Sequence, residues 1–339
     1  METPNNSSSG ACGTEVRISV LIPTKDRISD ICQCLDSIAR QSLLPHEVII
    51  IDSSEKAYLD SVLKEKIPAI MPLVKLVYVK ASLSEARNIG VRRSSGDILF
   101  FFDDDVVLDT DYIKQVMNVF TNDREGRIGG VMGDIINVNR DLTSLASVMR
   151  RLFFWDHFGD GKFLPSGLPT YVHGHEKITQ TEFLSGCMSA YRRKVMKEFA
   201  FDENLGRLSG YCYLEDADMS YRVSRKYTLI YTPLAKLEHH PSTKSRVDRC
   251  NVTKQLVFNH FYLFKKNMPK RLSTVFSFYL SLFGYFFFTG LFQGSAQGII
   301  GWFNGTVLWA REVFIHTNQN NMFTSAKMFV SILTCCLVK

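Results

Sequence analysis

Ile98-Leu99-Phe100-Phe101-Phe102-Asp103-Asp104-Asp105 decides the fold class: five large apolar residues run straight into three consecutive carboxylates. The apolar run is short, and Gly96-Asp97 precedes it. That pattern predicts a strand buried on both faces, as in a parallel sheet. Ligands of open α/β sheets bind just beyond the carboxyl ends of the strands, where these acids fall. Three neighbouring carboxylates repel one another unless a cation or donor groups offset them. A hard divalent ion, Mg²⁺ or Mn²⁺, takes oxygen ligands and often shares them with a diphosphate. A solvated acidic turn is the alternative; the strand in front favours a metal–diphosphate site.

Upstream, Val16 to Ile22 is rich in β-branched residues and ends at Pro23-Thr24-Lys25-Asp26-Arg27, which predicts a strand and a turn. Ile28, Ile31, Leu35 and Ile38 recur at helical spacing, predicting a helix to about Gln41. Glu47 to Asp52 reads as a second buried strand ending in an acid, and Val74 to Val79 as a third. Ser82-Leu83-Ser84-Glu85 has the form of a capping box; the helix it opens closes at Ser95-Gly96. Strand and helix therefore alternate up to the acids, which predicts a doubly wound, mostly parallel α/β sheet flanked by helices. Neither a dinucleotide fingerprint nor a P-loop is present.

Downstream, Asp109 to Phe120 reads as a helix and Gly129 to Ile136 as a Gly-interrupted strand. Residues 140–180 have no clean period and are rich in aromatics, Gly and His, among them Trp155, Tyr171, His173 and His175. So long an irregular stretch is a lid candidate, with a plain surface excursion as the alternative. Ser185-Gly186-Cys187 sets a glycine between small residues, where backbone can approach a ligand closely. Glu215 and Asp216 open a helix, and acids in a first turn also suit the helix dipole. Tyr227 to Tyr231 reads as a short strand; Ala235, Leu237 and His239 share one face of a last extended segment.

At 339 residues the chain holds one large domain with an appendage, or two modest ones. A net charge of +6 is mild, and no nucleic-acid-binding signature accompanies it. The eight cysteines form no CxxC pair, which suits reduced thiols of a cytosolic protein. Residues 1–15 are polar without an apolar core, a disordered lead-in rather than a signal peptide. Residues 246–271 form a basic, aromatic linker helix, and from Leu272 to Ala310 there is no charged residue and no His. An apolar, membrane-associated helical segment is expected over 272–310, spanning the bilayer or dipping into it, with its basic flank on the cytoplasmic face. A buried helix pair is the alternative, and residues 311–339 are a tail.

In this order, Ile22 to Arg27, Glu47 to Asp52, Ala86-Arg87-Asn88-Ile89-Gly90, Gly96 to Asp105, Ser185-Gly186-Cys187, Leu214-Glu215-Asp216 and Pro233 to His239 resemble the family 2 glycosyltransferases of GT-A fold. The likeness covers residues 16–245, with a nucleotide-binding half over 16–105 and an acceptor or catalytic half over 106–245. It implies sugar transfer from a nucleotide diphosphate sugar to a hydroxyl of a glycan or lipid-linked acceptor, in cell-envelope polysaccharide or glycolipid synthesis. By carry-over Asp105 is the main metal ligand, Asp103 assists or faces the ribose, and His239, with His240 as rival, completes the set. Pro23, Thr24, Arg27, Asp52, Arg87 and Asp104 fall on the nucleotide-sugar side; Ser185, Gly186 and Cys187 fall on the acceptor side. Asp216, with Glu215 as alternate, is the general base, and one base without a covalent nucleophile gives inversion. A sugar-1-phosphate nucleotidyltransferase, lacking its usual Gly-rich first loop, and a non-catalytic nucleotide-sugar-binding membrane scaffold are the rivals.

Overall fold

A computed structural model describes residues 16–319 except 56–58, 67, 69, 139–143, 156, 208–211, 243–247 and 289–293. The expected lead-in and the last twenty residues of the tail lie outside the described residues. The strands are β1 (Ile18–Thr24), β2 (Glu47–Asp52), β3 (Val74–Tyr78), β4 (Ile98–Phe102), β5 (Val106–Leu108), β6 (Ile128–Ile135), β7 (Thr179–Thr181), β8 (Met188–Arg192) and β9 (Thr228–His239). The helices are α1 (Ile28–Ala39), α2 (Leu59–Lys66), α3 (Leu83–Arg93), α4 (Tyr112–Asn122), α5 (Leu145–Leu152), α6 (Arg193–Glu198), α7 (Glu215–Ser224), α8 (Arg249–Asn267), α9 (Leu272–Tyr285) and α10 (Ala296–Gln319).

One sheet runs β3-β2-β1-β4-β8-β6-β9-β5, with β7 also on β9. Its first four strands are parallel, as expected. Each of Phe100, Phe101 and Phe102 is fully buried, and both halves of the Ser82–Glu85 capping box form. The mostly parallel expectation fails beyond β4. There β8 runs antiparallel to both β4 and β6, and β5 and β7 run antiparallel to β9. The cause is connectivity: β8 follows a long excursion rather than a crossover helix, so it enters from the opposite end. The sheet is therefore mixed.

The two extended segments expected near residues 227–239 are one strand. β6 lies along one side of β9; on the other, β7 pairs Leu229–Tyr231 and β5 pairs Leu237–His239. Pro233 falls in the gap between these two partners, and a register shift beside β6 accompanies it. A residue without an N–H is tolerated where no ladder bond is asked of it.

The expected linker belongs to the folded body over Arg249–Asn267. Asn259 on α8 donates to the carbonyls of Leu205 and Tyr213, at 3.1 and 2.9 Å. Lys266 and Asn267 bond the buried Asp218 of α7, each at 2.9 Å. Glycines seat α10 on α8, since a Cβ at Gly301 or Gly305 would strike the carbonyl of Cys250 or Lys254. No helix among the described residues is long and apolar enough to cross a membrane, so none supports the spanning form of the 272–310 expectation. The 14 residues of α9 reach about 21 Å, against a hydrocarbon core of about 30 Å.

His260 on α8 is fully buried, and its Nε2 donates to the Ser166 carbonyl at 2.8 Å. Among the described residues its Nδ1 has no partner, and with Nε2 the donor it is the bare nitrogen of the neutral ring. Burial outweighs the Ser166 bond and lowers the pKa to about 4. The unfolded chain, with an ordinary His near 6.5, binds more protons than the folded one between these values. Stability contributed by neutral His260 is therefore intact above about pH 6.5 and lost as pH falls toward 4. His260→Gln is expected to flatten the acid side of the stability–pH curve by up to about 3 kcal/mol relative to the native chain. Denaturant unfolding of both proteins across that window checks this, and parallel curves would refute it.

Candidate active site

Two registers assemble the site at the carboxyl end of β4. Phe102 pairs with Met188, which sets Ser185-Gly186-Cys187 beside Asp103. Val106 pairs with His239, which brings that imidazole to Asp105. His239 Nε2 lies 3.1 Å from Asp105 Oδ1, and Ser242 N–H donates to Asp105 Oδ2 at 3.0 Å. His240 turns away and pairs with the exposed Glu238 at 2.8 Å. One ligand atom each from Asp103, Asp105 and His239 falls within 4.8 Å of the others. Two carboxylates and an imidazole on one rim suit a divalent ion that accepts oxygen and nitrogen, Mn²⁺ more readily than Mg²⁺. Burial opposes ionisation of Asp105. The His239 and Ser242 bonds and the nearby Arg27 outweigh it and hold the carboxyl below its usual range.

Arg87 on α3 ties this rim to the opposite wall. Its side chain is 1% exposed. Nη1 donates to Glu215 Oε1 at 2.6 Å and Nη2 to Asp103 Oδ1 at 3.1 Å. Burial disfavours the guanidinium charge, but Glu215, Asp103 and Asp216 more than offset this and keep it ionised. Glu215 is buried in that pair, whereas Asp216 is partly exposed and accepts the Gly186 N–H at 3.1 Å. Burial raises both carboxyls, Glu215 to about 7 with further repulsion from Asp216. Leu214, immediately before them, holds a left-handed backbone at φ +68°. Such strain in a non-glycine residue persists only where the surroundings enforce it.

A cleft is lined by Arg87, Asp103, Gly186, Glu215, Asp216 and His239, with Ser185 and Cys187 beside them. Cys187 is buried, and burial together with Asp103 pushes its thiol well up, so it is neutral. The other predicted residues form an adjoining rim. Thr24 Oγ1 donates to Asp104 Oδ2 at 2.6 Å and Arg27 donates to Asp104 Oδ1 at 3.0 Å. The middle acid of the triplet is thus buried and bonded to the first loop, outside the cleft lining. Burial pushes it up to about 7 against the pull of Arg27 and Thr24. Asp52 pairs in register with Thr24, next to Pro23, and its Oδ1 accepts Ser54 N–H at 2.9 Å.

Two residues of the lid candidate, and Asp134, to which the sequence assigned no role, meet here. Tyr171 and His173, from the 140–180 excursion, line the cleft. Their rings stack at 6.3 Å, and His173 Nδ1 lies 3.3 Å from Asp134 at the end of β6. Aromatic content marked that stretch as a candidate lid, but no periodicity singled out these positions.

A family model described as glycosyl transferase family 2 matches residues 19–199. An uncharacterized glycosyltransferase, YwdF of Bacillus subtilis, is 35% identical over 103 residues, 30% of this chain and 37% of that protein. An N-acetylglucosaminyltransferase of Azorhizobium caulinodans is 24% identical over 212 residues, 58% of this chain and 48% of that protein. The chain thus spans less than half the length of either. Among solved structures, a mannosyltransferase from Pyrobaculum calidifontis in complex with GDP-Man and Mn²⁺ superposes with a TM-score of 0.52 at 16% identity, covering 95% of this chain and 85% of that one. GalNAc-T7 with UDP, GalNAc and Mn²⁺ gives 0.54 at 16% identity, covering 83% and 57%. At these identities the likeness establishes the fold.

Gly186 has room for no side chain. A Cβ there would lie 2.7 Å from Arg87 Nη2, and the guanidinium is held by two carboxylates. Gly186→Ala is expected to destabilise the protein by about 1–3 kcal/mol through overpacking. Unfolding in denaturant measures this; an unchanged midpoint would show that Arg87 yields freely.

Proposed function

The chain belongs to glycosyl transferase family 2 and is a transferase enzyme; on that premise we propose that it moves a sugar from a nucleotide diphosphate sugar to an acceptor hydroxyl with inversion. The observation that carries the proposal is the pair of carboxylate groups joined by Arg87: Asp103 on the strand rim and Glu215-Asp216 at the start of α7. Asp216 is the general base. It is the less buried of the two acids, and its raised pKa makes it a stronger proton acceptor than an ordinary carboxylate. Glu215 holds Arg87, whose remaining donor capacity suits a phosphate oxygen.

Asp103, Asp105 and His239 would hold a divalent ion, with Mn²⁺ favoured by the imidazole. Bound there, the ion would stabilise negative charge on the departing diphosphate. Thr24, Arg27 and Asp52 form the nucleotide side, with Asp104 as the brace that fixes the first loop. Ser185, Gly186 and Cys187 lie on the sugar and acceptor side. The acceptor is a glycan or a lipid-linked sugar of envelope or glycolipid synthesis, met at the cytoplasmic face of a membrane.

Asp216→Asn is expected to lower turnover by about 10²–10⁴-fold while nucleotide-sugar binding survives. Asp105→Asn is expected to abolish the Mn²⁺-dependent rise in melting temperature that nucleotide diphosphates produce. Full turnover by Asp216→Asn would remove the base assignment; release of pyrophosphate instead of nucleoside diphosphate would establish nucleotidyl transfer.

A further inference from the structure

Helix α9 is apolar on both sides: Phe278, Leu282 and Tyr285 pack inward, and a second set of large side chains points outward. Thr274, Ser277 and Ser281 face the protein and are buried, whereas Leu272, Phe276, Tyr279 and Phe283 are 51–87% exposed. Their spacing of four, three and four residues puts the exposed side chains on one narrow stripe. The buried hydroxyls of Thr274 and Ser277 bond carbonyls of Arg271 and Ser273, each at 2.9 Å, so they need no water. A helix face turned only to water usually carries polar residues, not a Leu and three aromatic rings.

A second stripe adjoins the first. On α5, Leu145, Val148 and Leu152 are 49–57% exposed and again share one side. Phe153 follows Leu152 directly; its ring lies 6.1 Å from that of Phe283, and it packs over Gly284. Trp155 then donates its indole N–H to the Ser281 carbonyl at 2.8 Å, fixing α9 against the chain leaving α5. The apolar surface therefore continues from one helix to the other.

Within the two segments themselves the charges have one sign. Residues 144–155 and 269–288 contain Arg150, Arg151, Lys270 and Arg271, and no Asp or Glu. Arg151 lies in the last turn of α5 next to Leu152, and Arg271 stands at the start of the α9 stripe. Apolar stripes edged with basic residues and an amphipathic Tyr match a helix lying in the plane of a bilayer interface, with anionic headgroups meeting the cations.

We propose that α5 and α9 together form an in-plane docking face for an anionic lipid bilayer. Beneath it, the cluster of Phe153, Trp155, Tyr285 and Phe288 packs against Leu214, the residue that precedes Glu215-Asp216. The cluster beneath the face thus reaches the residue that leads into the two acids of the cleft. That the face presents the cleft to a lipid-carried acceptor rests on the transferase reading above; the docking itself rests on the helices alone.

Flotation of the full chain with phosphatidylcholine vesicles, with and without phosphatidylglycerol, tests the proposal. Co-flotation is expected with the anionic vesicles and should weaken with salt. Phe276→Ser with Leu152→Ser should reduce partitioning about tenfold or more, and Arg151→Glu with Arg271→Glu should abolish the preference for anionic lipid. All four side chains lie outside the cleft, so nucleotide-sugar stabilisation with Mn²⁺ should stay unchanged; loss of that signal alone would count against the transferase reading and not the docking face. Absence of flotation by the native chain overturns the proposal. So does binding that survives both double variants but disappears on removal of residues 320–339, or a dimer that Phe276→Ser dissociates in the absence of lipid.

Discussion

The buried guanidinium of Arg87 is the constraint on which the site depends. A charge taken fully out of water is tolerated only with close partners of opposite sign. Here those partners come from the end of β4 and the start of α7. Neutralising one cation therefore fixes the separation of two chain segments far apart in sequence. Gly186 completes the arrangement by leaving the guanidinium its space. With Asp103, Glu215 and Asp216 all near Arg87, one positive charge faces several acids. Asp103 is shared between this guanidinium and the group it forms with Asp105 and His239.

The parallel half of the fold was legible because its strands are short and mostly apolar and alternate with helices as far as β4. β4 and the Ser82–Glu85 box are the plainest cases. The second half was harder, since strand direction is set by connections that carry no period. β5 has only three residues and was not foreseen, yet its pairing with β9 decides that His239 and not His240 reaches Asp105. Alternation along a strand allows one of two adjacent residues to face a site, but only the register says which. Asp104 shows the same limit. Three identical side chains in a turn read alike, while the backbone sends the middle one toward Thr24 and Arg27.

The apolar stretch after residue 271 was legible as unusual and ambiguous as to cause. Its two helices use their apolar residues in different ways. α10 turns Gly301 and Gly305 onto α8, a close protein–protein fit. α9 packs Phe278, Leu282 and Tyr285 inward and still turns Leu272, Phe276, Tyr279 and Phe283 outward. Composition alone cannot separate these, because both helices lack charge over most of their length; only the direction of each face distinguishes them.

β9 meets the catalytic question from an unexpected side. It is one unbroken beam, supported at one end by β7, which closes the excursion carrying Tyr171 and His173, and at the other by β5, which follows the acidic triplet. Tyr171 and His173 at one corner of the cleft and His239 at the other are therefore joined through a single strand, so a change in the register of β9 would displace both.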